Sequence, residues 1–319
     1  LVGYASGDVT VRDPSSSLPA PPRGWRWESA GDVVVAVPAD WAYGVSGDYD
    51  CYGSPPPPPY VGRGSSIVDE TWTIIDQCFP DEYDNPGTKL AVGGTFVWIG
   101  NLDWVRPQPA TRLLLGDRLK VSLGTAVVTV QAEPELREQI VRTIRRFGRD
   151  HNGCAPLHPI SHDSTWRPPA EGPAAGITGV TAVSVCRYGL DSRLADPPVT
   201  ALAASGRLEG AAAAAAVRGL DTPAGAGPDN HTSISCRKGL DDYQTRYGSE
   251  AMVLRIRATG QPEPREVVVR YSGCILHGFD DGSAIHRLTV AALAPFFTDA
   301  NQMVGDGSLA RLQHRLGLT

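Results

Sequence analysis

At 319 residues, 41% of them hydrophobic, the chain is long enough to enclose a core in each of two ordinary domains. A formal net charge of −6 leaves no basic footprint, which sets aside electrostatic capture of nucleic acid or of an anionic membrane surface. The 35 glycines and 27 prolines exceed the usual share without reaching that of low-complexity chains, so they are expected in loops and linkers.

Residues 1–22, with SSSLPAPP inside them, lack hydrophobic periodicity and read as an extended tether. A first α+β domain is expected over 23–150. In WRWESAGDVVVAVPADWAYG, Trp25 and Trp27 share one face of an extended segment, SAGD reads as a turn, and Val33, Val35 and Val37 form the apolar face of a second strand. Pro38 cannot donate to a ladder, so this strand ends there and PADW makes a corner. The pattern is that of a hairpin burying structural tryptophans; an aromatic binding platform is the alternative reading.

Asp40, Asp48 and Asp50 near Trp41 and Tyr43 combine carboxylates with rings, a set suited to sugars or cations, although surface solvation is the better account of the acids. The five prolines at 55–59 dictate a surface loop over 44–59. Further strands are expected at 67–75, 95–99 and 118–131. The clearest helix is PELREQIVRTIRRF, 134–147, with Leu136, Ile140, Ile144 and Phe147 at helical spacing, Pro134 in the first turn and arginines at the end. Its arginines read as a solvated face rather than an anion site.

HNGCAPLHPISHDSTWRPPAEGPAAG, 151–176, has no periodicity and reads as the interdomain linker. The second α+β domain, 177–319, is expected to hold a strand at VTAVSVCR and an alanine-rich helix at RLEGAAAAAAVRGL. A hairpin follows from EAMVLRIRA and REVVVRYSG, then a helix at IHRLTVAALAPFF and a short helix in the tail SLARLQHRLG. VCRYGLD and SCRKGLD echo each other, but their surroundings do not repeat.

Six cysteines, Cys51, Cys78, Cys154, Cys186, Cys236 and Cys274, are widely spaced with no CxxC pair, a pattern of disulfides in an oxidising compartment, with buried free thiols in a cytosolic protein as the alternative; spacing leaves fifteen pairings open. Asp150, His151, Cys154, His158, His162 and Asp163 offer ligand types suited to zinc or copper, with His151, His158 and His162 the metal candidates. The spacing crosses prolines without a helix to align the histidines, so a polar linker pinned by a disulfide is the preferred reading. Ser235 and Lys238 make an S-x-x-K match with none of its companion motifs, and Asn230-His231-Thr232 is a bare glycosylation sequon. Nucleophile-elbow, HExxH, P-loop and dinucleotide-fingerprint motifs do not occur, and no cofactor is expected.

The pieces GWRWESAGDVVVAVPADWAYG, Cys51, PYVGR, VTVQAEPELREQIVRTI, GRDHNGCAP and VCRYGL resemble a group of actinobacterial membrane-anchored ectodomains, often encoded near extracytoplasmic-function sigma factors. The scarcity of lysine, confined to Lys89, Lys120 and Lys238, agrees with high-GC coding. The resemblance implies an extracytoplasmic chain, secreted or anchored through a segment outside it, that binds a protein or envelope component without catalysis and carries an envelope-sensing role. The strand before PADW and the later helix are similar to the Mog1/PsbP-like α/β/α sandwich, and the second half to small antiparallel sheets with packed helices. On this reading Cys51 pairs with Cys78, Cys154 with Cys186, and Cys236 with Cys274. Trp41, Tyr43 and a cleft between domains around Trp166 are the expected places for a partner. An exported hydrolase or metal-binding protein using 151–163, and a carrier of a small lipid, are the alternatives.

Overall fold

The structure is a computed structural model describing residues 18–46, 59–65, 94–101, 108–115, 118–124, 126–190, 201–224 and 247–302. Most of the tether, the strand expected at 67–75, most of the proline run, Asp48, Asp50, Cys51, Cys78, Cys236, the motifs within 230–241 and the tail helix lie outside the described residues. The described residues form two compact units, within Leu1–His151 and Asn152–Gln302. Each is α+β.

The first unit opens with the expected hairpin. β1 (Trp25–Ala30) and β2 (Val33–Pro38) pair antiparallel from Trp25↔Pro38 to Ala30↔Val33. The two-residue loop between them needs a positive φ, which Gly31 supplies at 58°. A second, six-stranded sheet has the order β3-β4-β5-β8-β7-β6. β3 (Ala42–Ser46), β4 (Tyr60–Ser65) and β5 (Phe96–Asn101) run parallel to one another. β6 (Gln108–Leu115), β7 (Arg118–Gly124) and β8 (Ala126–Gln131) complete it with antiparallel pairings. The single strand expected over 118–131 is thus two strands paired antiparallel from Arg118↔Gln131 to Leu123↔Ala126, because fourteen alternating residues in one line exceed the length of an ordinary strand.

Val33, Val35 and Val37 of β2 meet Val61, Val97, Ile99, Leu119, Val121, Val128 and Val130 of the larger sheet in one apolar core. Ile140, Val141 and Ile144 close it. Here the expected helix differs from the observed one. α1 (Pro134–Val141) begins with Pro134 and Glu135 as read, but stops six residues early. The hydroxyl of Thr143 donates to Ile140 O and accepts the Ala36 N–H at 2.8 Å, and Arg145 and Arg146 then form β9 beside Val34 and Val33. A strand edge offering backbone partners outcompetes further helix. Ile144 and Phe147 are nevertheless buried, so the periodicity marked core residues correctly while misassigning their backbone.

The second unit is a wholly antiparallel sheet, β11-β10-β12-β13-β14-β15. It comprises β10 (Val180–Gly189), β11 (Leu202–Glu209), β12 (Glu250–Ala258), β13 (Arg265–Arg270), β14 (Gly278–Asp280) and β15 (Ile285–His286). α2 (Gly210–Arg218) and α3 (Val290–Leu293) cover one face, where Val183, Val185, Met252, Leu254, Ile256, Val267 and Val269 pack against Ala213, Val217, Leu293 and Phe296. The helix expected from 207 starts only at Gly210, because Arg207, Leu208 and Glu209 continue the ladder with β10. The helix expected over 285–297 shrinks to one turn capped by the Thr289 hydroxyl, with Pro295 next to it in a 3-10 turn.

Candidate functional site

In the first unit the aromatics of the opening stretch are structural. Trp27 is 4% exposed and donates its indole N–H to Pro19 O at 2.9 Å. Trp41, expected at the surface, is 5% exposed and sits in the apolar core with the valines of β2. Tyr43 is half-buried beneath Arg26, whose guanidinium carbon lies 4.4 Å from the ring centroid. The same arginine and Arg63 flank Glu28. Burial pushes the Glu28 carboxyl up, but the two guanidiniums outweigh it and hold its pKa below the ordinary value. Arg63 also donates to Ser29 O at 3.0 Å, so a buried ionic clasp ties β1 to β4.

The ligand-like cluster of 150–163 straddles the two units, and its side chains have other employment. Asp150 accepts the Ser29 hydroxyl at 2.6 Å in the first unit, where His151 is exposed. Cys154 is bonded to Cys186. His158 is buried with both ring nitrogens engaged: Nδ1 accepts the Ile160 N–H at 3.2 Å, which leaves Nε2 to donate to Glu266 at 3.1 Å. His162 is exposed at the end of a 3-10 turn, and Asp163 accepts the Thr165 N–H at 3.0 Å. Among the described residues no group of three or more His, Cys, Asp or Glu side chains is placed to hold a metal ion.

What residues 152–168 do instead is cover the face of the second sheet opposite its helices. Strand alternation puts Ser205, Cys186, Val253, Val268 and Asp280 in one row of that face, and Arg207, Ser184, Arg255 and Glu266 in the next. Tyr188 and Arg270 stand on the same face. These side chains take the backbone carbonyls of the covering segment. Ser184 donates to Asn152 O, Arg255 to Gly153 O, Tyr188 to Ala155 O at 2.9 Å, and Arg270 to Ser164 O and Trp166 O. Arg207 adds a longer bond to Asn152 O at 3.4 Å. Gly153, at φ 91°, is required here, because a Cβ would also press on the Ser184 hydroxyl at 3.2 Å.

Charge is matched along the same face. Asp280, wholly buried, accepts two bonds from Arg167 of the covering segment at 2.9 and 2.8 Å, and a third from Arg270 at 3.1 Å. Burial pushes the Glu266 carboxyl up, but its bonds from His158 and Arg255 bring its pKa below the ordinary value. Trp166 is half-buried, edge-on to the His158 ring at 4.8 Å, and His158 stacks on Tyr188 at 5.4 Å. Residues 152–176, read as a linker, therefore belong structurally to the second unit.

Sequence reasoning singled out none of Arg207, Arg255, Glu266, Arg270 and Asp280. For Arg255, Glu266 and Arg270 the available signal was charge inside the valine-rich strands EAMVLRIRA and REVVVR. Cys274 is disulfide-bonded as well, to a cysteine outside the described residues, and no described cysteine is free. Comparison with protein-family models, with curated proteins and with solved structures finds no match to this chain.

Proposed function

We propose that the chain is a non-catalytic extracytoplasmic ectodomain that binds a protein or cell-envelope component, with a sensory role in the membrane-anchored group it resembles. The observation supporting this reading is oxidation: Cys154, Cys186 and Cys274 are all in disulfides. Such bonds persist outside the reducing cytosol. The ionisable side chains of the covered sheet face bind one another and the chain's own backbone. Among the described residues no helix is long and apolar enough to cross a membrane. Two sheets closing on an apolar core that α1 completes are compatible with a Mog1/PsbP-like first unit, which we include in the proposal.

Mapping the six cysteines by mass spectrometry of the unreduced protein tests the reading. The expected result is 51–78, 154–186 and 236–274, with no thiol reagent consumed after unfolding. Consumption of six equivalents would remove the basis for an extracytoplasmic chain. Metal analysis of the same sample reads out the competing role of His151, His158 and His162: stoichiometric zinc or copper would displace the binding-protein reading.

A further inference from the structure

The segment covering the second sheet is held unlike any strand of that unit. β10, β11, β12 and β13 are laced by backbone ladders, with register shifts at Arg187/Tyr188 and Val180/Ala182. Residues 152–168 have no strand, and their inward backbone bonds are the N–H groups of Ala201 and Leu202, both donated to Pro156 O at 3.0 and 3.1 Å. Their other backbone bonds are local, such as Ser161 to His158 and Trp166 to Asp163. The segment is further attached by the Cys154–Cys186 bond near one end, by sheet side chains that bind the carbonyls of Gly153, Ala155 and Trp166, and by the burial of Ile160 and of the His158 ring stacked on Tyr188. Guanidinium and hydroxyl groups aimed at main-chain carbonyls recognise a peptide backbone whatever its sequence. Specificity enters at two points, where Glu266 receives His158 and the buried Asp280 receives Arg167 in a bidentate pair.

We propose that this face is a peptide-binding groove occupied in cis: residues 155–168 open as a local unit about the disulfide, and the face they leave takes an arginine-bearing peptide of a partner. The partner's main-chain carbonyls meet Tyr188 and Arg270, and its arginine replaces Arg167 as the second cation on Asp280, beside the buried Arg270. The inference deepens the binding-protein reading and rests on it for the existence of a partner; opening of the strap does not depend on it. Ion pairs and hydrogen bonds exchange for water at low net cost, so the cost of opening falls mainly on exposing Ile160 and the His158 ring, which lie outside the main apolar core of the unit.

Hydrogen exchange on the unreduced full chain tests the opening. The bonded amides of Ile160, Ser161 and Trp166 are expected to exchange about 100-fold faster than those of β12 and β13, by local opening. Equal exchange would mean that the strap opens only with the whole unit, and would overturn the proposal while leaving the disulfide evidence untouched. The groove is tested with a fluorescent synthetic peptide of residues 155–173. It is expected to bind the full chain carrying Arg167→Ala saturably and the unaltered chain roughly tenfold more weakly, because the cis strap competes. A peptide with its own Arg167→Ala change is expected not to bind. Binding to neither chain, or equally to both, would overturn the groove.

Discussion

Glu28 shows how a single buried carboxylate makes stability depend on pH. It lies between Arg26 and Arg63, and its pKa in the fold is below its ordinary value of 4.5. Between those two values the unfolded chain binds more protons than the folded one, so its contribution is complete above 4.5 and is lost as pH falls through the folded-state value. Asp32 is displaced upward by burial despite Arg146 and contributes a slope of opposite sign, so the comparison is best made as a difference between variants. Glu28→Gln is expected to cost about 3 kcal/mol at pH 7 in urea unfolding, since it strands Arg63 in the interior, and the gap to the unaltered protein is expected to shrink toward pH 3. A gap independent of pH would show that the clasp is not ionic. Gly153→Ala, at a positive φ and against Ser184, is expected to cost about 1–3 kcal/mol in the second unit by the same measurement.

At the scale of elements, Thr143 and the disulfide decide more than propensity does. Thr143 ends α1 by serving Ala36 of β2, and both groups are out of water. Thr143→Val keeps the shape and removes the acceptor, leaving a buried N–H unsatisfied; the expected loss is about 1–3 kcal/mol, read from chemical denaturation. No change would mean that the helix stops for another reason. Cys154 and Cys186 close a loop of sequence separation 32. Replacing both by serine is expected to lower stability by about 3 kcal/mol through loop-closure entropy, and to raise hydrogen exchange across residues 152–168 ahead of that in β12. Alternation and turn chemistry made β1, β2, β10, β12 and β13 legible in sequence. The parallel strands β3 and β4 were not, because each is short and their partners lie far along the chain or across a proline run. Gly62 shows the cost of that blindness: it is there because the Trp98 ring lies against it, a contact without local trace.

For the whole molecule, the two cores are closed within their own units: the valine set around Val128 in the first and the set around Leu254 in the second. Val128→Ala is therefore expected to lower one calorimetric transition and leave the other in place, with Leu254→Ala doing the reverse. A single transition moved equally by both would mean that the units unfold as one. Composition, the even and scattered cysteines, the hairpin at the opening tryptophans and the α+β pattern were determined by the sequence alone, because burial periodicity and turn residues act over a few neighbouring positions. Only the tertiary structure decided that Trp41 faces inward, that α1 stops at Val141, and that residues 152–168 form a cover whose carbonyls meet Tyr188, Arg255 and Arg270. Those outcomes depend on which distant groups satisfy a backbone N–H, a carbonyl or a buried charge, and a pairing across 102 positions such as Arg255 with Gly153 has no signature in either stretch.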